Sequence, residues 1–251
     1  MRDTGLISWI DLPAALGLLT RLPIPVDAEE AAARGARAAW AYPLVGALIG
    51  VFVAACIPLL LMTGLPGGMV GAVVLAVSVI ITGAMHEDGL ADSADGLWGG
   101  WDRERRLAIM KDSHIGVYGV IAIGFSLLIR WLALVALVAT GQYWSVLIAI
   151  ATLSRLAMVV VMGVLPQARA GGLSAKVGQP SVATMVVALI LSVALAMACN
   201  ATVLIFAAAL AALACGVIAR FKIGGQTGDI LGATQQVTEI VLLMVVVASL
   251  N

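Results

Sequence analysis

The chain has 251 residues, 62% of them hydrophobic and only 11% charged, with a mean hydropathy of +1.10. Soluble domains run nearer half apolar and about a quarter charged, so one polytopic, all-α membrane domain spanning 1–251 is expected. Fourteen basic residues offset fourteen acidic ones, which leaves no net field to draw nucleic acid; the expected partner is the lipid bilayer.

Residues 1–37 form the N-terminal segment. Leu12 to Thr20 is a short apolar run, but Asp11 and Pro13 interrupt its start. Arg21 and Pro23 follow where a signal peptide would place small residues. Trp9, Leu12, Leu16 and Leu19 recur at helical spacing, which predicts an uncleaved helix lying in the membrane interface.

Hydropathy predicts about seven transmembrane helices, roughly 38–62, 66–86, 115–139, 142–165, 181–199, 201–219 and 236–250. Arg2, Arg21, Arg34, Arg37, Arg103, Arg105, Arg106, Lys111, Arg169, Lys176, Arg220 and Lys222 then share one side, leaving only Arg130 and Arg155 inside spans. The positive-inside rule makes that side cytoplasmic and the C-terminus external. Every acidic residue except Glu239 falls on the cytoplasmic side too, so the chemistry is expected there.

The densest polar segment follows the second span and opens a cytoplasmic stretch, 87–114. In His86-Glu87-Asp88-Gly89-Leu90-Ala91-Asp92-Ser93-Ala94-Asp95-Gly96, a continuing helix puts Asp88, Asp92 and Asp95 on one face. No Lys or Arg between 86 and 102 offsets their repulsion. Hard divalent cations such as Mg²⁺ bind oxygen ligands of this kind, usually beside substrate phosphates. Glu87 points to another face. Gly89 and Gly96 weaken the helix, which suggests close approach of a backbone or ligand. Farther on, Arg103, Arg105 and Arg106 read as a basic anchor. Lys111, Asp112, Ser113 and His114 open a helix and read equally as part of that anchor with local ion pairs or as a contact to phosphate or an anionic headgroup.

Arg130 and Arg155 are costly inside spans unless paired or facing a polar cavity. Their partners are either acidic residues or a substrate phosphate. The three cysteines, Cys56, Cys199 and Cys215, lack paired spacing, and His86 and His114 are the only histidines. No disulfide is suggested, nothing in the chain suits a Ser–His–Asp triad, and two histidines rule out a multi-histidine zinc site. A second cytoplasmic loop, 220–235, carries Gly224-Gly225-Gln226-Thr227-Gly228-Asp229-Ile230-Leu231-Gly232. Its glycines free backbone N–H groups to face phosphate, although it is no P-loop. Asp229 is placed to complete the metal site or bind a second ion. Glu239, inside the last span, is a functional candidate by its cost.

Carboxylates, a Gly-rich loop and two embedded arginines suit Mg²⁺-dependent transfer of a phosphorus-containing group. A cation-coupled transporter using the same carboxylates is the alternative of another class.

The run from Gly83 through His86-Glu87-Asp88-Gly89-Leu90-Ala91-Asp92 to Asp95-Gly96 resembles the signature of the cobalamin synthase family. So do Ile109 to Ser113 with Ile115-Gly116, and Gly224 to Ala233. Thr20 to Pro25, Tyr42 to Gly46, Ser154-Arg155, and Ala168-Arg169 with Gly172-Leu173 are similar to it as well. His114 and Arg130 depart from the family's usual Arg and Lys. The resemblance implies joining of adenosylcobinamide-GDP to α-ribazole, or its 5′-phosphate, to give adenosylcobalamin, or its 5′-phosphate, and GMP. It also implies Mg²⁺ and a site facing the cytoplasm from the bacterial inner membrane. The reaction is analogous to that of CDP-alcohol phosphotransferases, a second enzyme alternative, but their DGxxAR spacing is missing. Oligomeric state stays open, a homo-oligomer or a complex with other cobalamin-assembly enzymes included.

The expected metal ligands are Glu87, Asp88, Asp92, Asp95 and Asp229. His86, Asp88, Asp92, Asp95 and Asp229 are the expected catalytic set. Lys111, Asp112, Ser113, Arg130, Arg155, Gly225, Gln226, Thr227 and Glu239 are expected to bind substrate.

Overall fold

The computed structural model describes residues 5–250; Arg2, counted above on the basic side, lies outside them. Among these residues the chain is helical, with one isolated β-bridge between Gln167 and Gln226. Five helical stretches are long and apolar enough to cross a membrane: Ala28–Leu61, Val117–Thr140, Trp144–Val164, Thr202–Ile223 and Gly228–Ala248. Val182–Ala198 is apolar but shorter, and Gly67–Thr82 joins Met85–Gly99 through an 86° bend. The chain is thus a multi-pass helical membrane protein.

The elements run in order as α1 (Asp11–Leu19), α2 (Ala28–Arg34), a 3-10 segment (Gly35–Ala41), α3 (Tyr42–Leu61), α4 (Gly67–Thr82) and α5 (Met85–Gly99). They continue as α6 (Arg103–Ile109), α7 (Val117–Thr140), α8 (Trp144–Val164), α9 (Leu173–Val177), α10 (Val182–Ala198), α11 (Thr202–Ile223) and α12 (Gly228–Ala248). α8 is the central post, buried along most of its length and packed against α3, α10, α11 and α12. Small residues allow this approach. A Cβ on Gly46 or Gly50 would run into the α8 backbone at Ala151, Leu147 and Ile148. Large apolar side chains on α7 and α11, such as Phe125, Leu132, Phe206 and Leu213, face outward, as lipid contact requires.

α1 forms a short helix where one is expected, and Leu12 and Leu16 of the expected stripe pack against the core. Asp11, Ala15 and Leu19 are buried, whereas Trp9 precedes the helix and is exposed. Asp11 is buried because Arg34 pairs with it at 2.6 Å and the Trp40 indole and Ser8 N–H also donate to it. Burial alone would raise its pKa, but these donors hold it below the ordinary carboxylate value.

Two expected loops are largely helical. Stretch 87–114 forms most of α5 and all of α6, and the connection within 220–235 shrinks to 224–227. The last helix begins at Gly228, not near 236. Its first turns bury Thr234, Gln235 and Gln236 inside the bundle, where hydropathy reads polar residues as a loop.

Candidate active site

The site starts at a break. Gly83 and Ala84 both adopt left-handed backbone, ending α4 and turning the chain into α5. A side chain at Gly83 would collide with Arg21. The Arg21 amide donates to the Ile81 carbonyl at 2.7 Å. The Thr20-Arg21 segment therefore braces the bend that aims α5.

α5 then crosses α12 at two glycines. A Cβ on Gly89 would stand 2.8 Å from the Asp229 carbonyl and 3.1 Å from Gly232 Cα. The contact is backbone to backbone, as the helix-weakening glycines suggested for Gly89. It brings Asp229, in the first turn of α12, to the Asp88–Asp92 face of α5. Asp88 is exposed, while Asp92 and Asp229 are half-buried. Burial, then the charges of Asp88, Asp229 and Asp95, push the Asp92 carboxyl up to about 7. Arg169 alone acts in the opposite direction. It pairs with Asp229 at 3.0 Å, while its second terminal nitrogen is buried without a partner.

Asp95 lies on the same helix but has different work. Its two oxygens accept the Gly116 and Gly119 amides at 2.7 and 2.9 Å, capping α7 from outside. The glycines are required there, because Cβ atoms would strike the carboxylate. Among the described residues no three His, Cys, Asp or Glu side chains form a ready metal shell. The crowded negative charge on Asp92 still fits a cation that draws its remaining ligands from a phosphate.

Glu87 turns inward, as its helical position predicts, and is not at the acidic face. Arg130 donates to it at 2.8 Å and to Glu239 at 3.0 Å, and also contacts Gln236 and Ser78. Arg155 reaches Glu239 at 3.4 Å and the Ser154 hydroxyl at 3.1 Å, with its Nε unpartnered. Gln235 and Gln236 join the cluster. Two acids and two arginines thus form a closed ion network binding α5, α7, α8 and α12. Of the two open readings of the embedded arginines, the structure supports ion pairing. The Arg130 donors are taken by protein groups, so the expected phosphate contact at Arg130, and with it Glu239, is replaced by a structural bond. Glu87 likewise serves the network, where the sequence suggested metal.

His86, a candidate base, is buried beside this network with both ring nitrogens unpartnered. Lys111 through His114 form an exposed turn; α7 starts only at Val117, after Asp95 has fixed its end. His114 meets Asp112 there at 2.7 Å, which lowers the Asp112 carboxyl and raises the imidazole pKa. Among the described residues no hydrogen bond or ion pair joins that turn to Asp88, Asp92 or Asp229.

The Gly-rich loop is used for packing. A Cβ on Gly225 would hit the Pro166 carbonyl; Gln226 N–H donates to Pro166 at 2.8 Å, and its carbonyl accepts from Ala168 at 2.9 Å. Gln226 and Thr227 are buried, and Thr227 caps α12 through the Ile230 amide while donating to Asp229. The Gln226 and Gly225 groups expected at phosphate instead hold the 166–168 segment, which delivers Arg169. Arg103 and Arg106 reinforce that junction through the Ile223, Ala168 and Lys222 carbonyls. Arg169 is the site residue that charge counting missed; its only sequence signal was the Ala168-Arg169 motif.

Fold and site together define a multi-pass helical membrane protein with an acidic, arginine-bordered groove where two helices cross. Residues 11–247 match the model of the family described as cobalamin-5-phosphate synthase. The chain is 42% identical to an adenosylcobinamide-GDP ribazoletransferase of Bradyrhizobium diazoefficiens, over 95% of this chain and 93% of the relative. Proteins of the same name from Azorhizobium caulinodans and Mesorhizobium japonicum are 42% and 41% identical, over 97% and 96% of this chain and 97% and 94% of theirs. No solved structure matches. The chain belongs to the cobalamin-5-phosphate synthase family and is an enzyme, a transferase of cobalamin biosynthesis.

Proposed function

We propose that the chain joins adenosylcobinamide-GDP to α-ribazole, or its 5′-phosphate, at the acidic groove, in a bacterial cytoplasmic membrane with the groove facing the cytoplasm. The observation that carries this reading is the convergence of Asp88, Asp92 and Asp229, whose crowded negative charge only Arg169 offsets. The names of the relatives supply the substrates. Asp88, Asp92 and Asp229 would hold Mg²⁺, which neutralises diphosphate charge and eases departure of the leaving group.

The remaining work belongs to the chain. The ribazole 3′-hydroxyl oxygen attacks the phosphorus bonded to cobinamide, the bond to the GMP oxygen breaks, and a carboxylate of the groove takes the hydroxyl proton. Arg169, held against Asp229 with one nitrogen to spare, donates to phosphate oxygens. Asp95 keeps α7 docked against α5, and the Glu87–Arg130–Glu239–Arg155 network fixes the crossing from beneath. The test is purified protein with adenosylcobinamide-GDP, α-ribazole and Mg²⁺, with GMP measured. Release of GMP that stops on chelation is expected. Absence of GMP, or release indifferent to the chelator, would overturn the reading.

A further inference from the structure

A cavity of about 200 Å³ opens beside the acidic groove. Its rim is polar, with Asp88, Asp229 and Arg169. Its walls are apolar: Leu19, Met158, Met162 and Leu173, with buried Tyr42 among them. His86 lines it, 1% exposed, with neither ring nitrogen hydrogen-bonded. His86 also borders a smaller cavity of about 50 Å³ that runs down to Arg130 and Glu239. No step of the transfer above uses it.

A buried imidazole with no partner is expensive, so an occupant that bonds to it is favoured. Size restricts that occupant. Pockets that enclose a drug-sized ligand measure roughly 300–1,000 Å³, so this one takes a single ring system and no corrin. Chemistry restricts it further. A guanine edge carries several donors and acceptors, which Leu and Met walls would leave unpaired. A ribosylated dimethylbenzimidazole has no ring donor and one free acceptor nitrogen. Its methyl groups suit Leu19, Met158 and Met162, and its one acceptor suits one imidazole N–H.

We propose that this cavity binds the benzimidazole base of the acceptor nucleoside, with His86 donating to its free ring nitrogen. The proposal rests on the transfer reading above and deepens it. Buried in the apolar cavity, the base presents its ribose to the carboxylates at the rim. His86 is then a binding residue for the acceptor, and the hydroxyl proton goes to the acidic face.

Equilibrium dialysis of radiolabelled α-ribazole against the purified full chain, without Mg²⁺ or donor, tests this. Met162→Trp, which fills the cavity, should weaken binding about tenfold or more. Leu173→Trp, at a wall position that is half exposed and so less demanding on packing than Met162, should weaken it in the same direction. His86→Leu should weaken α-ribazole but leave an indole riboside, which lacks the acceptor nitrogen, bound as before. Unchanged α-ribazole binding in both tryptophan variants, or equal losses for both nucleosides in His86→Leu, overturns the proposal. GMP release with an unaltered α-ribazole KM in Met162→Trp overturns the cavity assignment and leaves the transfer reading standing. Tryptophan-sensitive binding without any GMP release supports the cavity and removes the transfer reading.

Discussion

Arg130 has four protein partners within the bundle, and two of them are carboxylates. Replacing it with Leu strands Glu87 as a buried charge without a cation and leaves Glu239 with Arg155 alone, a defect on the scale of breaking a buried pair, roughly 3–5 kcal/mol. Arg130→Leu should therefore lower the melting temperature in detergent sharply. Arg130→Lys keeps the charge, loses the fork, and should fall between. Equal melting of wild type and Arg130→Leu would refute the structural role. Asp92→Asn should behave oppositely. Asp92 is opposed by Asp88, Asp229 and Asp95 with only Arg169 in compensation, so removing its charge relieves repulsion and should hold or raise stability. Activity should drop by about 10²-fold or more, on the scale of losing one preorganised electrostatic contact. Undiminished GMP release at limiting Mg²⁺ would remove Asp92 from the site. At this scale the sequence showed which residues were polar and costly but not which partner each took. Glu87 and Asp88 are neighbours, yet the turn of one helix sends one into the bundle and the other to the groove.

The crossing of α5 and α12 decides whether the site exists. It is made by Gly89 and Gly232, whose Cβ positions would lie 2.8 to 3.3 Å from the opposing backbone. Backbone cannot yield as a flexible side chain can, so Gly232→Ala should force the helices apart. Overpacking of this kind costs about 1–3 kcal/mol. The shift also separates Asp229 from Asp92, so GMP release should fall further than stability does. An alanine variant with wild-type turnover would show that the close approach is dispensable. Hydropathy found most of the helices, because long apolar runs report a lipid-facing surface directly. It placed the start of α12 late, since Thr234, Gln235 and Gln236 are polar residues satisfied inside the protein. It did not show the 86° bend either, which depends on two left-handed residues, Gly83 and Ala84, and on Arg21 from the far N-terminal segment.

For the whole molecule, the unequal distribution of charge predicts orientation. The connections after α3 and after α7 carry no Lys or Arg, whereas Arg103, Arg105, Arg106, Lys111, Arg169, Lys176, Arg220 and Lys222 cluster around α6, α9 and the end of α11. Lys and Arg resist translocation, so the groove side is predicted to face the cytoplasm. Arg169, which pairs with Asp229 in the groove, directly follows Ala168, whose carbonyl accepts from Arg103 of the basic α6. In a chain with Cys56, Cys199 and Cys215 replaced by Ala, Ser113→Cys and Thr63→Cys report the two faces, and both positions are exposed. An impermeant maleimide added to intact spheroplasts should label Thr63→Cys and spare Ser113→Cys until the membrane is opened. Labelling of Ser113→Cys in intact spheroplasts would turn the molecule over and put the acidic groove outside. That outcome would remove the cytoplasm-facing site from the proposed function, so this one experiment tests the orientation and that part of the proposal together.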